Sequence, residues 1–520
     1  MSGKPLAAMA IAAGAFAVSP CILASDWDVT PSIKVATTYS DNIDRNVSAD
    51  SDVALEITPS INVVRDSRRL QMSLDYSLQN LFYFDESDRN ATNHRLFSDL
   101  TGEVVDETLF IDLSASIRQQ LVDRKSDASG DTISGGSNVS DVYTYSISPY
   151  WREQLGNILE WDLRLTHDSV NTEESGSDSD GNGVSLSVVN GTATGRFSWD
   201  VDYDNKQVDY DDGDKSDTET ASARINYRLT RSLSAVLSGT YEDFEFVGDR
   251  GNTSPEDSTV GGGFTWAPSD DFSTTILYND RVDPRPGEDS SFVSADIYWA
   301  PTARTDINLN YGNRFFGETY NGSLTHTSRW TRWNLSYSEG VSDFRSLSLA
   351  EQYGVAICPG GASLAAQCRE FLPGDSLQPG EEFRLISQLN TDITEDTFIN
   401  KTAFASVSLV GARNTITLSA RNARRTFVAD NESEKDTVID LAWDHQIAPR
   451  TDSTVAITDS SLEFDDGQED DIMRYRWRVT QQIGGSSIFY VEAQYYDRES
   501  NVASRNYDET RFTVSFEKFF

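Results

Sequence analysis

Three features of the sequence predict a single large antiparallel transmembrane β-barrel. Strand-like runs of roughly ten residues alternate apolar and polar positions, the length a tilted membrane strand needs. The connections between these runs alternate between short turns and long polar loops. The chain ends in RFTVSFEKFF, where Phe512, Val514 and Phe516 alternate with Thr513 and Ser515 and the last residue is Phe520. Period-two alternation marks a strand with one face against an apolar medium. That calls for explanation in a chain of 520 residues with a formal charge of -40.

Composition agrees with thin apolar surfaces rather than a thick core. Only 38% of residues are hydrophobic, yet 11% are aromatic, which argues against disorder. Asp and Glu number 83 against 43 Lys and Arg, so there is no basic excess to neutralise phosphates and no nucleic-acid partner is expected. The acid excess reads as solvated loops.

At the N-terminus, Lys4 precedes an apolar, small-residue run from Leu6 to Ala24, after which SDWD is polar. This is the pattern of a secretory signal peptide, residues 1–24, with cleavage expected after Ala24. Cys21 is a poor lipoprotein anchor because Pro20 precedes it. The mature chain then retains Cys358 and Cys368 within CPGGASLAAQC, where an exported compartment permits a local disulfide. Past Ala24 no apolar run is long enough for a transmembrane helix.

Residues 25–520 read as one barrel. SADIYWAPTARTDINLNYGNRFFGETYNG (294–322) is the clearest hairpin: Ala295, Ile297 and Trp299 share a face, APTAR turns, and Ile307, Leu309, Tyr311 and Phe315 share a face on the way back. Segments 96–120, 223–246, 261–280, 440–458 and 477–497 repeat the plan. Acidic Gly/Ser/Asn-rich loops separate the hairpins, as at 123–141, 171–183 and 430–436, and the longest, about 345–395, could insert into the lumen. Short turns facing the periplasm and long loops facing outside describe a barrel of about 24 strands, within roughly 18–26. On 70–84, Leu70, Met72, Leu74, Tyr76 and Leu78 make the lipid face, and Gln71, Ser73, Asp75, Ser77 and Gln79 the lumen face. On 161–169, Trp161, Leu163 and Leu165 oppose Asp162, Arg164, Thr166 and Asp168. Charges on the inner face suit a water-filled lumen and not a packed sandwich. Trp and Tyr near strand ends fit interfacial girdles. Strands begin at about Trp27, so no N-terminal plug domain is expected.

Catalytic and metal chemistry is weakly represented. His94, His167, His326 and His445 lie on distant strands without ligand spacing, and there is no GxSxG elbow, so neither an enzyme nor a cofactor is expected. SDSDGNG (177–183) opens like a calcium loop through Asp178, Asp180, Asn182 and Gly183, but Val189 stands where the bidentate Glu is needed. The sharpest lumen feature is MRYRWRV (473–479). Met473, Tyr475, Trp477 and Val479 form one face, and Arg474, Arg476 and Arg478 form a basic ladder on the other. Glu492, Gln494 and Tyr496 would stand beside it on the next strand. The ladder suits an anionic or hydroxylated solute, as charged rings do in pores. It equally suits a network that braces the wall.

SDWDVTPSIKVATTYSDNID (25–44), ITPSINVVRDSRRL (57–70), LFIDLSASIRQQ (109–120), WAPTARTDINLNYGNRFFG (299–317) and LTHTSRWTRWNLSYSEGV (324–341) resemble the PEP-CTERM system-associated outer-membrane proteins. The likeness spans most of the mature chain, although WAPSDDFST (266–274) lacks the Arg-Thr of the turn motif. The resemblance implies a barrel in the bacterial outer membrane, associated with exosortase-type sorting and surface polysaccharide production. It carries no catalytic residues and no substrate. The expected partners are outer-membrane lipid and lipopolysaccharide, the barrel assembly machinery and exopolysaccharide. Phe512, Val514, Phe516 and Phe520 resemble the terminal signal read by that machinery, and Lys518, where an apolar residue would be expected, can snorkel to the interface. The leading expectation is a channel for exopolysaccharide secretion. The alternatives are a solute-uptake porin and an adhesive surface barrel whose acidic loops bind divalent cations.

Overall fold

The structure is a computed structural model that describes residues 27–126, 131–134, 138–173, 178–191, 195–211, 213–248, 251–285, 289–343, 345, 349 and 397–520, together with the backbone of three short strands between 355 and 385. Residues 1–24 lie outside the described residues, as do most of the 345–395 loop, Cys368 and the Cys358 side chain.

Among the described residues, 24 long antiparallel strands form one closed barrel. Each pairs with the next in the chain, and the last, Tyr507–Phe519, pairs with the first, Trp27–Ser40. Nine residue pairs make this seam, from Ser32↔Phe519 to Ser40↔Arg511. The amide of Phe520 extends it by donating to the Pro31 carbonyl at 2.9 Å. Closure leaves no open sheet edge, which a sheet in hydrocarbon requires because each unpaired backbone group there costs several kcal/mol, roughly.

Contacts between strands that are not neighbours identify the inner face, because only a concave wall allows them. Arg224 on Lys215–Arg228 reaches Asp296 on Ser291–Thr302 at 3.7 Å, with three long strands between. Arg314 likewise reaches Glu242 at 3.0 Å. The alternate positions, which face outward, are the apolar ones: Trp27, Val29, Ile33, Val35 and Tyr39 on the first strand, and Phe512, Val514 and Phe516 on the last, are all exposed. Leu70, Met72, Leu74, Tyr76 and Leu78 share this outer register through pairs such as Val63↔Leu74 and Ile61↔Tyr76. Ser73 and the partner-strand residues Glu56 and Asn62 are buried on the inner side. Polar inside and apolar outside is the pattern of a transmembrane barrel.

The girdles are largely sorted by type. All ten tryptophans lie in the short turns or in the half of a strand nearest them, among them Trp27, Trp151, Trp266, Trp299, Trp330 and Trp443. Most outward tyrosines, such as Tyr39, Tyr145, Tyr278, Tyr311 and Tyr320, occupy the opposite half, toward the loop edge, while Tyr227 stands beside a short turn. Lys518 keeps the outward register beside the turn and donates to Ser486, so its ammonium is satisfied at the interface. One expected position differs. Phe315 follows the strand Thr305–Arg314 and packs inward on buried Phe244, ring centroids 5.2 Å apart, so it does not share the outer face of Ile307, Leu309 and Tyr311. Asp180, Asn182 and Gly183 belong to the strand Ser179–Asn190, which is incompatible with a calcium loop there.

The contacts of Arg224 and Arg314 require the wall to bend sharply between them. Gly261, Gly262 and Gly263 sit on the intervening strand Glu256–Ser269. A Cβ on Gly263 would lie 1.9 Å from the Ile276 carbonyl oxygen, whereas one on Gly262 would meet only Val236 O at 3.9 Å. Glycine lets the backbones approach and the sheet turn a corner. Gly263→Ala should therefore lower barrel stability by about 1–3 kcal/mol, while Gly262→Ala should be tolerated. Urea-unfolding midpoints followed by heat-modifiable mobility distinguish the two, and equal midpoints would contradict the corner.

Candidate functional site

The MRYRWRV strand, Glu469–Gln482, places its arginines on the inner face, as the alternation predicts. The register pairs Arg474 with Tyr496, Arg476 with Gln494 and Arg478 with Glu492. Arg478 Nε donates to Glu492 Oε2 at 2.8 Å, and its guanidinium lies 4.3 Å from the Tyr490 ring centroid. This rung braces the wall. Arg474 is exposed to the lumen and shares a row with Thr458 and Asp440, with Thr458 Oγ1 donating to Asp440 at 2.7 Å. Tyr496 is buried, stacks on Tyr507 and lies under the Arg45 guanidinium, 4.7 Å from it, so its ring is held from both sides.

A counterpart sits almost halfway round the ring. Asp200, Asp202 and Asp204 occupy alternate inner positions of Phe197–Tyr210, in line with the neighbouring Ser187 and Ser185. None of the three makes an ion pair among the described residues, and Asp202 and Asp204 are exposed to the lumen. The signal WDVDYD has the same period as RYRWR, but its significance depends on where the strand stands in the ring. Interactions between exposed charges are screened beyond roughly 8 Å in physiological salt. The two ladders therefore act as separate strips on a wide lumen wall.

The loop edge of the lumen is partly covered from within. After Leu109–Leu121, residues 122–126 and 131–134 are pinned to strands far round the ring. Lys125 Nζ donates to Asp465 and Asp466 at 2.8 and 2.9 Å. The Lys125 carbonyl accepts from Arg498 at 2.8 Å, and Arg498 also grips Asp470 at 2.7 Å, both side chains fully buried. Further along, Asp131 pairs with Arg45 at 3.2 Å and with Arg511. Arg45 donates to Glu509 at 2.9 Å, and Glu509, wholly buried, also accepts from Ser40 and Ser134. Tyr83 donates to the Ile133 carbonyl at 2.7 Å. Arg45 reaches this position from a left-handed backbone conformation, φ 52°. A second crossing starts at Arg345, just after the strand Thr331–Ser342. Its buried guanidinium pairs with Asp168, donates to Ser179 at 2.9 Å and lies against Gly181. Leu349 packs with Val142 and Val170 on the same distant wall. The start of the longest loop therefore does turn inward.

These pins are charge-assisted and mostly buried, so removing one partner is costly. Burial pushes the Asp131 carboxyl up, but the guanidiniums of Arg511 and Arg45 outweigh it and hold the group well below the usual carboxylate range. Burial lowers Lys125, but the hydrogen bonds and charges of Asp465 and Asp466 raise it overall. A depressed carboxyl stabilises above its unfolded pKa and fails only as pH falls through the folded one.

The four histidines all occupy outward-facing register positions. Each ring bonds a polar partner, as with His94 and Tyr76 at 2.8 Å and His445 and Asn414 at 2.8 Å. Ligand oxygens of Asp44, Asp50 and Glu86 gather within 4.8 Å of one another at the loop edge, but Arg89 already pairs with Asp44 and Glu86.

Fold and lumen together define a transmembrane β-barrel with a polar, charge-striped wall and a mouth narrowed by inward loops. No protein-family model matches the chain, and no curated protein matches it in sequence. Among solved structures, the siderophore receptor PirA from Pseudomonas aeruginosa is similar at 9% identity over 95% of this chain and 80% of that one, with a TM-score of 0.43. The FrpB iron transporter from Neisseria meningitidis (F5-1 variant) is similar at 8% identity over 95% of this chain and 83% of that one, with a TM-score of 0.41. A loop-deletion form of OmpT, an outer membrane protein of Vibrio cholerae, is similar at 8% identity over 95% of this chain and all of that one, with a TM-score of 0.33. Likenesses this distant carry no inference about ligand or activity.

Asp131→Asn removes the negative charge that two guanidiniums share, a loss of roughly 3–5 kcal/mol for a buried pair. Hydrogen exchange across 131–134 should accelerate at least about a hundredfold in that variant. In the parent protein, protection corrected for intrinsic rate should be the same at about pH 4 as at neutrality, because the Asp131 pKa lies below that window. Unchanged exchange in the variant, or loss of protection near pH 4, would contradict the pinning.

Proposed function

We propose that this protein is a conduit in the bacterial outer membrane, not an enzyme, and that its cargo is a surface polysaccharide leaving the cell. The observation that carries the reading is the arginine ladder. It faces the lumen, its first rung Arg474 is open to water, and aromatic and amide side chains stand beside it. Successive rungs recur about every 7 Å along the strand. A flexible chain can pass acidic or hydroxyl groups from one rung to the next without leaving the wall. Arginine offers several donors to such groups, and the amide of Gln494 on the next strand adds a donor and an acceptor.

The short turns would face the periplasm and the acidic loops the outside. The inward segments pinned through Lys125, Asp131 and Arg345 would then act at the exit, where they narrow a lumen otherwise wide enough for small solutes to leak. The resemblance to the PEP-CTERM system-associated proteins supports a glycan cargo. The polar lumen by itself would serve an uptake porin equally well.

Deleting the gene tests the direction of transport. Precursor polysaccharide retained in the periplasm is the expected result, and normal secreted polysaccharide would overturn the export reading. In planar bilayers, replacing Arg474, Arg476 and Arg478 by Gln should move ion selectivity toward cations. An unchanged reversal potential in asymmetric salt would leave the arginines a bracing role alone.

A further inference from the structure

A row of five charged side chains crosses the outer face of the barrel near the loop edge. Glu339, Lys401, Arg424, Lys435 and Glu463 stand on five consecutive strands of the ring, and each is the direct cross-strand partner of the next. All five have the outward register. Six residues toward the turns, the same strands present Trp333, Val407, Leu418, Leu441 and Ile457, again as direct partners in one row. That lower row is wholly apolar. Between the two, Asn422 donates to Thr437 at 2.7 Å in a row that also holds Tyr337, Ala403 and Ser461. The charged row thus lies about 20 Å along the strands from an apolar row in the hydrocarbon band, at headgroup height.

Three cations side by side are unfavourable, because like charges directly opposite each other in a sheet repel. The two ends are relieved: Lys401 pairs with Glu339 at 3.3 Å and Lys435 with Glu463 at 2.7 Å. The centre is not. Arg424 is exposed, and among the described residues its guanidinium bonds only the hydroxyl of Ser433, at 3.2 Å, with no carboxylate in reach. A guanidinium flanked by two ammoniums on neighbouring strands, about 5 Å to either side, is a seat for a tetrahedral oxyanion, which arginine can grip with two parallel hydrogen bonds.

We propose that this row binds the phosphate of a phosphorylated glycolipid in the outer leaflet. The inference rests on reading the chain as an outer-membrane barrel. A lipid is favoured over a free anion by position, since the seat faces outward above the apolar band, on a surface the bilayer covers. Charge favours it too. The chain carries a net charge of -40, which repels a soluble anion, while a lipid phosphate is already confined to the membrane plane. Tyr337 lies one outward position below Glu339 and donates to its carboxylate, which places an interfacial ring at the level expected for the glycolipid's upper acyl carbons.

The test uses the full-length protein in detergent micelles, titrated with diphosphorylated lipid A and with the same lipid after phosphate removal, and read by native mass spectrometry. The parent should bind the phosphorylated form preferentially. Arg424→Gln combined with Lys401→Gln and Lys435→Gln should weaken that binding on the order of a hundredfold. Glu463→Gln, which frees Lys435, should strengthen it. Equal binding of both lipids, or equal binding by parent and triple variant, would overturn the proposal. Competition by inorganic phosphate as effective as that by the lipid would overturn the lipid assignment. Heat-modifiable mobility is recorded on every sample. A compact band that persists while lipid preference is absent refutes the site alone, whereas absence of that band in the parent refutes the barrel reading and the site with it.

Discussion

Everything in this structure depends on pairing the backbone of the first strand with that of the last. In water an open sheet edge is a hazard. In hydrocarbon it is prohibitive, because no solvent can satisfy the unpaired N–H and C=O groups. The seam between Trp27–Ser40 and Tyr507–Phe519 removes that cost. Its inner side is reinforced by hydroxyls: Thr38 and Thr513 lie 3.0 Å apart, and Ser32 donates to Glu517 at 3.0 Å. The outer side is apolar, with Val35 opposite Phe516 and Phe512 and Val514 exposed beside them.

Closure decides where polarity can go. With the outer positions given to the apolar band, every alternate position faces a space that water can fill, and charges are tolerated there at modest cost. That explains how a chain with only 38% hydrophobic residues builds a large fold. It also explains the mouth. A wide polar lumen has no apolar core to hold loops in place, so inward segments are fixed by ion pairs such as Arg345–Asp168 and Arg45–Asp131. The sharp bend at Gly261–Gly263 lets polar side chains of one wall reach another, as Arg314 reaches Glu242.

What was legible in the sequence was local. Alternation revealed the two faces of 70–84 and 161–169, the inward arginines of 473–479 and their Glu492, Gln494 and Tyr496 neighbours, because register follows from a short turn and a period of two. What was not legible depends on distance along the chain. Lys125 meets Asp465 across 340 positions, and no periodicity announces that contact. The aspartates of WDVDYD carry the same local signal as the arginines, but their relation to them exists only once the ring order is known. Phe315 was misplaced because its strand ends one residue earlier, at Arg314, and the chain turns inward. The outer-face cation row was invisible for the same reason as the pins, since Lys401, Arg424 and Lys435 are ordinary surface residues until three strands are laid side by side.

The closure itself is open to direct measurement. In a background with Cys358→Ser and Cys368→Ser, cysteines replacing Thr38 and Thr513 would stand opposite each other across the seam, on the inner face. Oxidation of native membranes should link them in high yield and convert the barrel into a covalent ring of altered mobility after denaturation. Failure to link, while a control pair on adjacent strands, Thr240→Cys with Thr259→Cys, links readily, would contradict a closed barrel and everything built on it.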